Sequence, residues 1–266
     1  MAAPDQQQQS TLTPRSYTYY HAGPLFSLSD LHTNSLLANK IHTLSNHKFI
    51  PIVPQDLEQR DTSPHSIRDQ DIRSLLGCDL ALFTYDGAEL DSGTVVEYML
   101  AKFADIPTVV LRTDFRKAGD QGVGDAGTGT SSNGSSAGDP WNLMSSFWPR
   151  TRRVVVDAML GYKTGLAKAL EQRNMAEGQL ENVTSLDVGG GQAALLAGQM
   201  LLEETARRIV EALEEVLAMP ATMPEELRPH VYEWIGLMPG FKSGSIEADL
   251  HSMSQLLRKK EEKGLL

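Results

Sequence analysis

Two kinds of hydrophobic pattern alternate along the chain. Short apolar runs end in turn residues, and longer stretches repeat their apolar positions every three or four residues. DLALFTYDG (79–87) is the clearest of the first kind, an apolar run closed by an Asp-Gly turn. YTYYHAGP (17–24), KFIPIVP (48–54), IPTVVLRTD (106–114) and RRVVVDA (152–158) read as four further strands. Between them, SDLHTNSLLANKIHTLSNH (29–47) carries Leu31, Leu37, Ile41 and Leu44 at helical spacing. SPHSIRDQDIRSLLGC (63–78) is a helix entered through Ser and Pro. A third helix is expected from Thr94 to about Ala104, and GYKTGLAKALEQ (161–172) closes the series. Strands that alternate with helices in this way form a parallel sheet covered on both faces. The expected fold is α/β: a doubly wound (flavodoxin-like) parallel five-stranded sheet with a C-terminal helical extension.

The pattern also sets domain limits. Residues 1–15 are polar and rich in Gln, and are expected to form a disordered tail. The α/β domain spans 16–176, interrupted at 117–140 by a Gly- and Ser-rich insertion expected to be flexible. Residues 177–192, ending in DVGGGQ, read as a linker. The helical extension, 193–266, opens with a long amphipathic helix that aligns Leu202, Ile209, Leu213 and Val216 on one stripe.

Composition narrows the function. A formal net charge of −10 argues against a binder of nucleic acid, whose affinity rests on clustered Lys and Arg. No signal-like N-terminal segment and no run of 18 apolar residues occurs, so a soluble cytoplasmic protein without a membrane span is expected. The single cysteine, Cys78, leaves no disulfide framework or cysteine zinc cluster within the chain. Neither a metal nor an organic cofactor is implied.

In an open parallel sheet, ligands bind beyond the carboxyl ends of the strands. DGAELDSGTVVEYMLA (86–101) falls there and holds four carboxylates. Thr94-x-x-Glu97 reads as a capping box, in which Glu97 would reach back to the N-cap amide. The helical wheel nevertheless sets Glu97 on the apolar stripe with Leu100, Ala101 and Ala104, where an unpaired acid is costly, so it is either partnered or functional. Asp91 could start the helix as a cap worth about 1 kcal/mol. Asp79 opens a strand, where Asp is disfavoured. Asp86 and Glu89 read as turn and loop residues.

Taken together, YHAGPLF (20–26), CDLALFTYDG (78–87), DSGTVVE (91–97), RTDFR (112–116) and PWNLM (140–144) resemble the nucleoside 2-deoxyribosyltransferase family. The motifs arrive in family order within residues 17 to 172. The resemblance implies exchange of the base of a 2′-deoxynucleoside for a free nucleobase, by double displacement through a covalent deoxyribosyl-enzyme. It makes Glu97 the nucleophile, places Asp79 and Asp91 near the base and the nucleophile, and has Tyr20 orient the nucleophile by a hydrogen bond. An ionised Glu97 in the first helical turn would be favoured by the helix dipole. Gly23 would let the backbone approach the ligand, and Asn142 would reach sugar hydroxyls in a neighbouring subunit's site, which requires at least a dimer. Relatives that hydrolyse deoxynucleoside 5′-monophosphates tend to carry Ser where this chain has Asp91, whose charge would repel a phosphate. Two other functions stay open on the residues: a nucleoside N-glycoside hydrolase on the same fold, and a non-catalytic nucleoside-binding or scaffold protein.

Overall fold

The computed structural model describes residues 15–57, 63–87, 90–114, 143–177, 188–238 and 245–266. The elements follow the expected order: β1 (Tyr17–Ala22), α1 (Leu28–Leu44), β2 (Phe49–Ile52), α2 (Pro64–Gly77), β3 (Leu80–Thr84), α3 (Ser92–Phe103), β4 (Thr108–Arg112), β5 (Thr151–Val155) and α4 (Ala158–Glu177). α5 (Val188–Leu217), α6 (Arg228–Gly236) and α7 (Ile246–Glu262) complete the chain. The five strands are all parallel in the order β2-β1-β3-β4-β5, the doubly wound arrangement expected from the alternation of patterns.

Because strand side chains point alternately to opposite faces, the nearly continuous apolar runs of β3 and β4 feed two cores. On one face Tyr20, Ala22, Ala81, Phe83 and Val110 meet Leu75 of α2, Tyr98 and Ala101 of α3, Tyr232 of α6, and Met253 and Leu257 of α7. On the other, Tyr19, Leu80, Leu82, Val109, Leu111 and Val154 meet Leu37 and Ile41 of α1 and the α5 stripe Ala206, Ile209, Leu213 and Val216. The helices of residues 193–266 therefore lie on the sheet itself, and the stripe read from the sequence is the part of α5 that packs there.

Local boundaries shift for physical reasons. Of the expected linker, 177 and 188–192 are helical, while 178–187 lie outside the described residues. Glycine in a helix costs up to about 1 kcal/mol relative to alanine, but α4 and α5 use small residues to pack closely. A Cβ on Gly165 would stand 3.2 Å from the Ala197 backbone. The tail expected at 1–15 and the insertion at 117–140 lie outside the described residues, apart from Arg15. α3 begins at Ser92 with Asp91 as its N-cap, two residues before the expected start at Thr94.

The C-terminal end docks at the amino edge of the sheet. Asp105, after α3, accepts hydrogen bonds from Thr222 N and Oγ1 at 2.7 Å each and from Met223 N at 2.9 Å, holding the α5–α6 connection. Arg150 donates to the carbonyl of Leu265 at 2.8 Å, and the fully buried Lys260 donates to the carbonyl of Cys78. Removing packing from the α5 stripe tests its place in the core. Ile209→Ala is expected to lower stability by about 2 to 5 kcal/mol, read as a drop in the urea midpoint at unchanged m-value.

Candidate active site

Tyr20 lies on the α2/α3 face of β1 with no solvent exposure, and its hydroxyl donates to Glu97 Oε1 at 2.7 Å. Its ring is fixed by the core, so the donor is rigid. Glu97 belongs to the second turn of α3, because Asp91 caps the helix and Ser92 is its first residue. The expected capping box is thus replaced. Asp91 Oδ2 accepts from Thr94 N at 2.8 Å and from Thr94 Oγ1 at 2.7 Å, leaving the Glu97 carboxylate free to turn toward Tyr20. The helix dipole acts mainly within the first turn, so the favourable dipole position expected for Glu97 falls to Asp91 instead.

The electrostatics follow from burial and like charge. Desolvation lifts the Glu97 carboxyl to about 7, the charges of Asp71 and Asp91 push in the same direction, and the Tyr20 hydrogen bond opposes them. The Tyr20 phenol is raised by burial and by the Glu97 charge beside it. Asp71, on α2, is the residue the sequence reading missed. One of its carboxylate oxygens is buried without a partner, and burial raises its pKa. A signal was available: Ile67, Asp71 and Leu75 recur every four residues on α2, so Asp71 is an acid on an apolar stripe, as Glu97 is.

The other expected residues fall into different places. Asp79 stands at the amino edge of β3, where Oδ2 accepts from Thr18 N at 2.8 Å, Thr18 Oγ1 at 3.2 Å and Lys263 Nζ at 2.6 Å. Its carboxylate is engaged in tying β1 and the C-terminal end to the sheet, and it is not grouped with Tyr20 and Glu97. An acid at a strand start, disfavoured in isolation, is explained by these partners. Gly23 does mark a close approach, but to β3: a Cβ there would stand 3.2 Å from Thr84 Cβ. Asp86 shapes the loop, accepting from Thr113 N and Oγ1 at 2.6 Å each and from Asp114 N at 3.1 Å. Asn142 and Glu89 lie outside the described residues. The segment just after Asn142 is anchored on α3, where the Tyr98 hydroxyl donates to the Ser145 carbonyl at 3.1 Å.

Among the described residues, no group of three or more His, Cys, Asp or Glu is arranged to hold a metal ion, and no helix is long and apolar enough to cross a membrane. The arrangement is a carboxylate nucleophile candidate with a rigid hydroxyl donor and two acids near it.

Residues 19–144 match the sequence model of the family nucleoside 2-deoxyribosyltransferase. Over these residues the chain resembles that family, as the motifs implied. No curated protein matches the chain significantly. A solved structure of a conserved protein from Enterococcus faecalis V583 is similar at 24% identity, covering 59% of this chain and 99% of its own, with a TM-score of 0.42. The 2-desoxiribosyltransferase from Leishmania mexicana is similar at 23% identity, covering 58% and 97% respectively, with a TM-score of 0.37.

The raised Glu97 carboxyl has a consequence for stability. The folded state holds this proton more tightly than the unfolded chain, so the stability it gives is full below the ordinary carboxylate range and is lost as pH rises through about 7. Glu97→Gln, which stays neutral, is expected to match the wild type near pH 4 and to exceed it increasingly toward pH 8, as read from urea midpoints across that range.

Proposed function

We propose that the protein is a nucleoside 2-deoxyribosyltransferase that exchanges the base of a 2′-deoxynucleoside through a deoxyribosyl ester on Glu97. The observation that carries this reading is the 2.7 Å hydrogen bond from the buried Tyr20 hydroxyl to Glu97 Oε1, within a family match that includes both residues. The bond occupies one carboxylate oxygen and leaves the other to attack.

In the first step Glu97 Oε2 forms a bond to C1′ of the sugar while the N-glycosidic bond breaks. Its electron pair goes to the base nitrogen, which leaves poorly as an anion and needs a proton. With Asp79 engaged at the amino edge, the acids near Glu97 are Asp71 and Asp91. Asp91 is ordered by two hydrogen bonds from Thr94, whereas Asp71 keeps one buried carboxylate oxygen without a partner and burial raises its pKa. Asp71 is therefore assigned the proton donor, and Asp91 the residue that sets the first turn of α3. In the second step the incoming base attacks C1′, the ester to Glu97 breaks, and the proton returns to Asp71. Two displacements retain the configuration at C1′. Asn142 of a neighbouring subunit would complete the sugar site, so the working form is at least a dimer.

Incubation with deoxyinosine and adenine tests the reaction. Deoxyadenosine is expected only when adenine is present, and Glu97→Ala is expected to abolish it while the fold is kept. Free base and deoxyribose formed regardless of adenine would assign the protein to the N-glycoside hydrolases. Glu97 must be ionised to attack, so kcat/KM for exchange is expected to fall as pH drops through about 7. Tyr20→Phe removes the bond that holds this value down and is expected to move the acid limb to higher pH. An unmoved limb would take Tyr20 out of the mechanism.

A further inference from the structure

α5 covers the α1 side of the sheet only in part. From Ala206 onward its stripe lies directly on the strands, with Ala206, Ile209, Leu213 and Val216 fully buried. Upstream the same helix turns to α4, where a Cβ on Gly161 would stand 2.7 Å from Leu201 Cδ1. Small residues, Ala194 and Gly198, border the space that this leaves, a cavity of about 510 Å³ at the carboxyl edge of the sheet. Its floor is Thr84 and Leu111, and its walls include Asn34 and Leu37 of α1 and Leu202 of α5. Leu37 and Leu111 belong to the core opposite the one containing Tyr20, so the cavity and Glu97 lie on different faces of the sheet.

Three features define what fits. Thr84 lines the cavity and its buried Oγ1 has no hydrogen-bond partner, a condition that a ligand's polar edge relieves once rotation about χ1 turns the hydroxyl toward it. Asn34 is 6% exposed, and its Nδ2 donates to the Pro24 carbonyl at 3.1 Å. That bond fixes the amide, so that Oδ1 stands 3.7 Å from where a Cβ of Gly23 would be. No Lys or Arg is among the described lining residues and Asp86 is, which disfavours a phosphate or other anion. The rest of the lining is mainly aliphatic, and the volume falls in the range of small-molecule sites, about 300 to 1,000 Å³.

We propose that this cavity is a second binding site, separate from Glu97, for an uncharged purine-sized heterocycle. Its polar edge meets Thr84 and Asn34, and its ring lies against Leu37, Leu111 and Leu202. The choice of a free purine base rests on the nucleoside chemistry proposed above.

Equilibrium dialysis of labelled adenine against the full chain, with no nucleoside present, tests the site. Four proteins are compared: wild type, Gly198→Phe, Thr84→Val and Glu97→Ala. A Cβ on Gly198 meets nothing within 4 Å, so a phenylalanine there enters the cavity without moving backbone; thermal unfolding checks that each variant is folded. A component of adenine binding is expected that Gly198→Phe weakens at least about tenfold, that Thr84→Val weakens by about 2- to 10-fold, and that Glu97→Ala leaves intact. Absence of that component, or its loss in Glu97→Ala, overturns the proposal. Base exchange on the same preparations separates the two readings. Exchange without the component removes only the second site, and the component without exchange removes only the transferase.

Discussion

A parallel sheet that is apolar on both faces has to be roofed on both, and this requirement organises the whole molecule. All five residues of β4 are buried, and β3 has a single residue, Thr84, that is not. A single helix, α1, is too narrow to cover its face of five strands, so α5 runs beside it and places Ile209, Leu213 and Val216 on the strands. On the other face α2 and α3 leave space that α6 and α7 fill with Tyr232, Met253 and Leu257. The Asp105 carboxylate, bonded to Thr222 and Met223, holds the chain as it passes from one face to the other. Helices that follow the last strand in sequence are therefore part of the core.

The same packing puts acids into a difficult place. Tyr20 is held by the sheet, α3 is started by Asp91, and α2 carries Asp71 toward the same region. Burial and two neighbouring carboxylates oppose ionisation of Glu97, while a single hydroxyl favours it. A value near neutrality is the balance of these effects. On the mechanism proposed above, this value would suit both the attack by the anion and its departure when the second base arrives.

The fold was largely legible in the sequence because parallel strands buried on both faces give unmistakable apolar runs, and the helices between them keep a clear period. The hydrogen bond between Tyr20 and Glu97 was legible as well, Glu97 standing out as an acid on an apolar stripe and Tyr20 through its motif. What could not be read depended on distant partners. Asp79 looks like a candidate acid until Thr18 and Lys263, 61 and 184 residues away, are seen to hold it. Asp91 and Thr94 compete for the same capping role, and only the backbone decides between them. Asp71 carried the same stripe signal as Glu97 but stood outside the motifs that drew the reading to one stretch. The glycines before Ala193 suggest a break locally, whereas the packing that holds α5 against α4, at Ala197 and Leu201, is tertiary.

The attachment of residues 260–265 to the first strands bears on the order in which this domain is completed during synthesis. Arg15 Nη1 donates to the carbonyl of Lys263, Lys263 pairs with Asp79 beside β1, and Arg150 holds the carbonyl of Leu265. The residues that seal this rim follow the strands along the chain and leave the ribosome after them. At about 5 to 20 residues per second, the sheet waits for seconds with the ground covered by α6 and α7 open to water. Closure of this rim therefore comes only after the whole sheet has emerged, and the nascent chain depends until then on whatever shields exposed apolar surface in the cell.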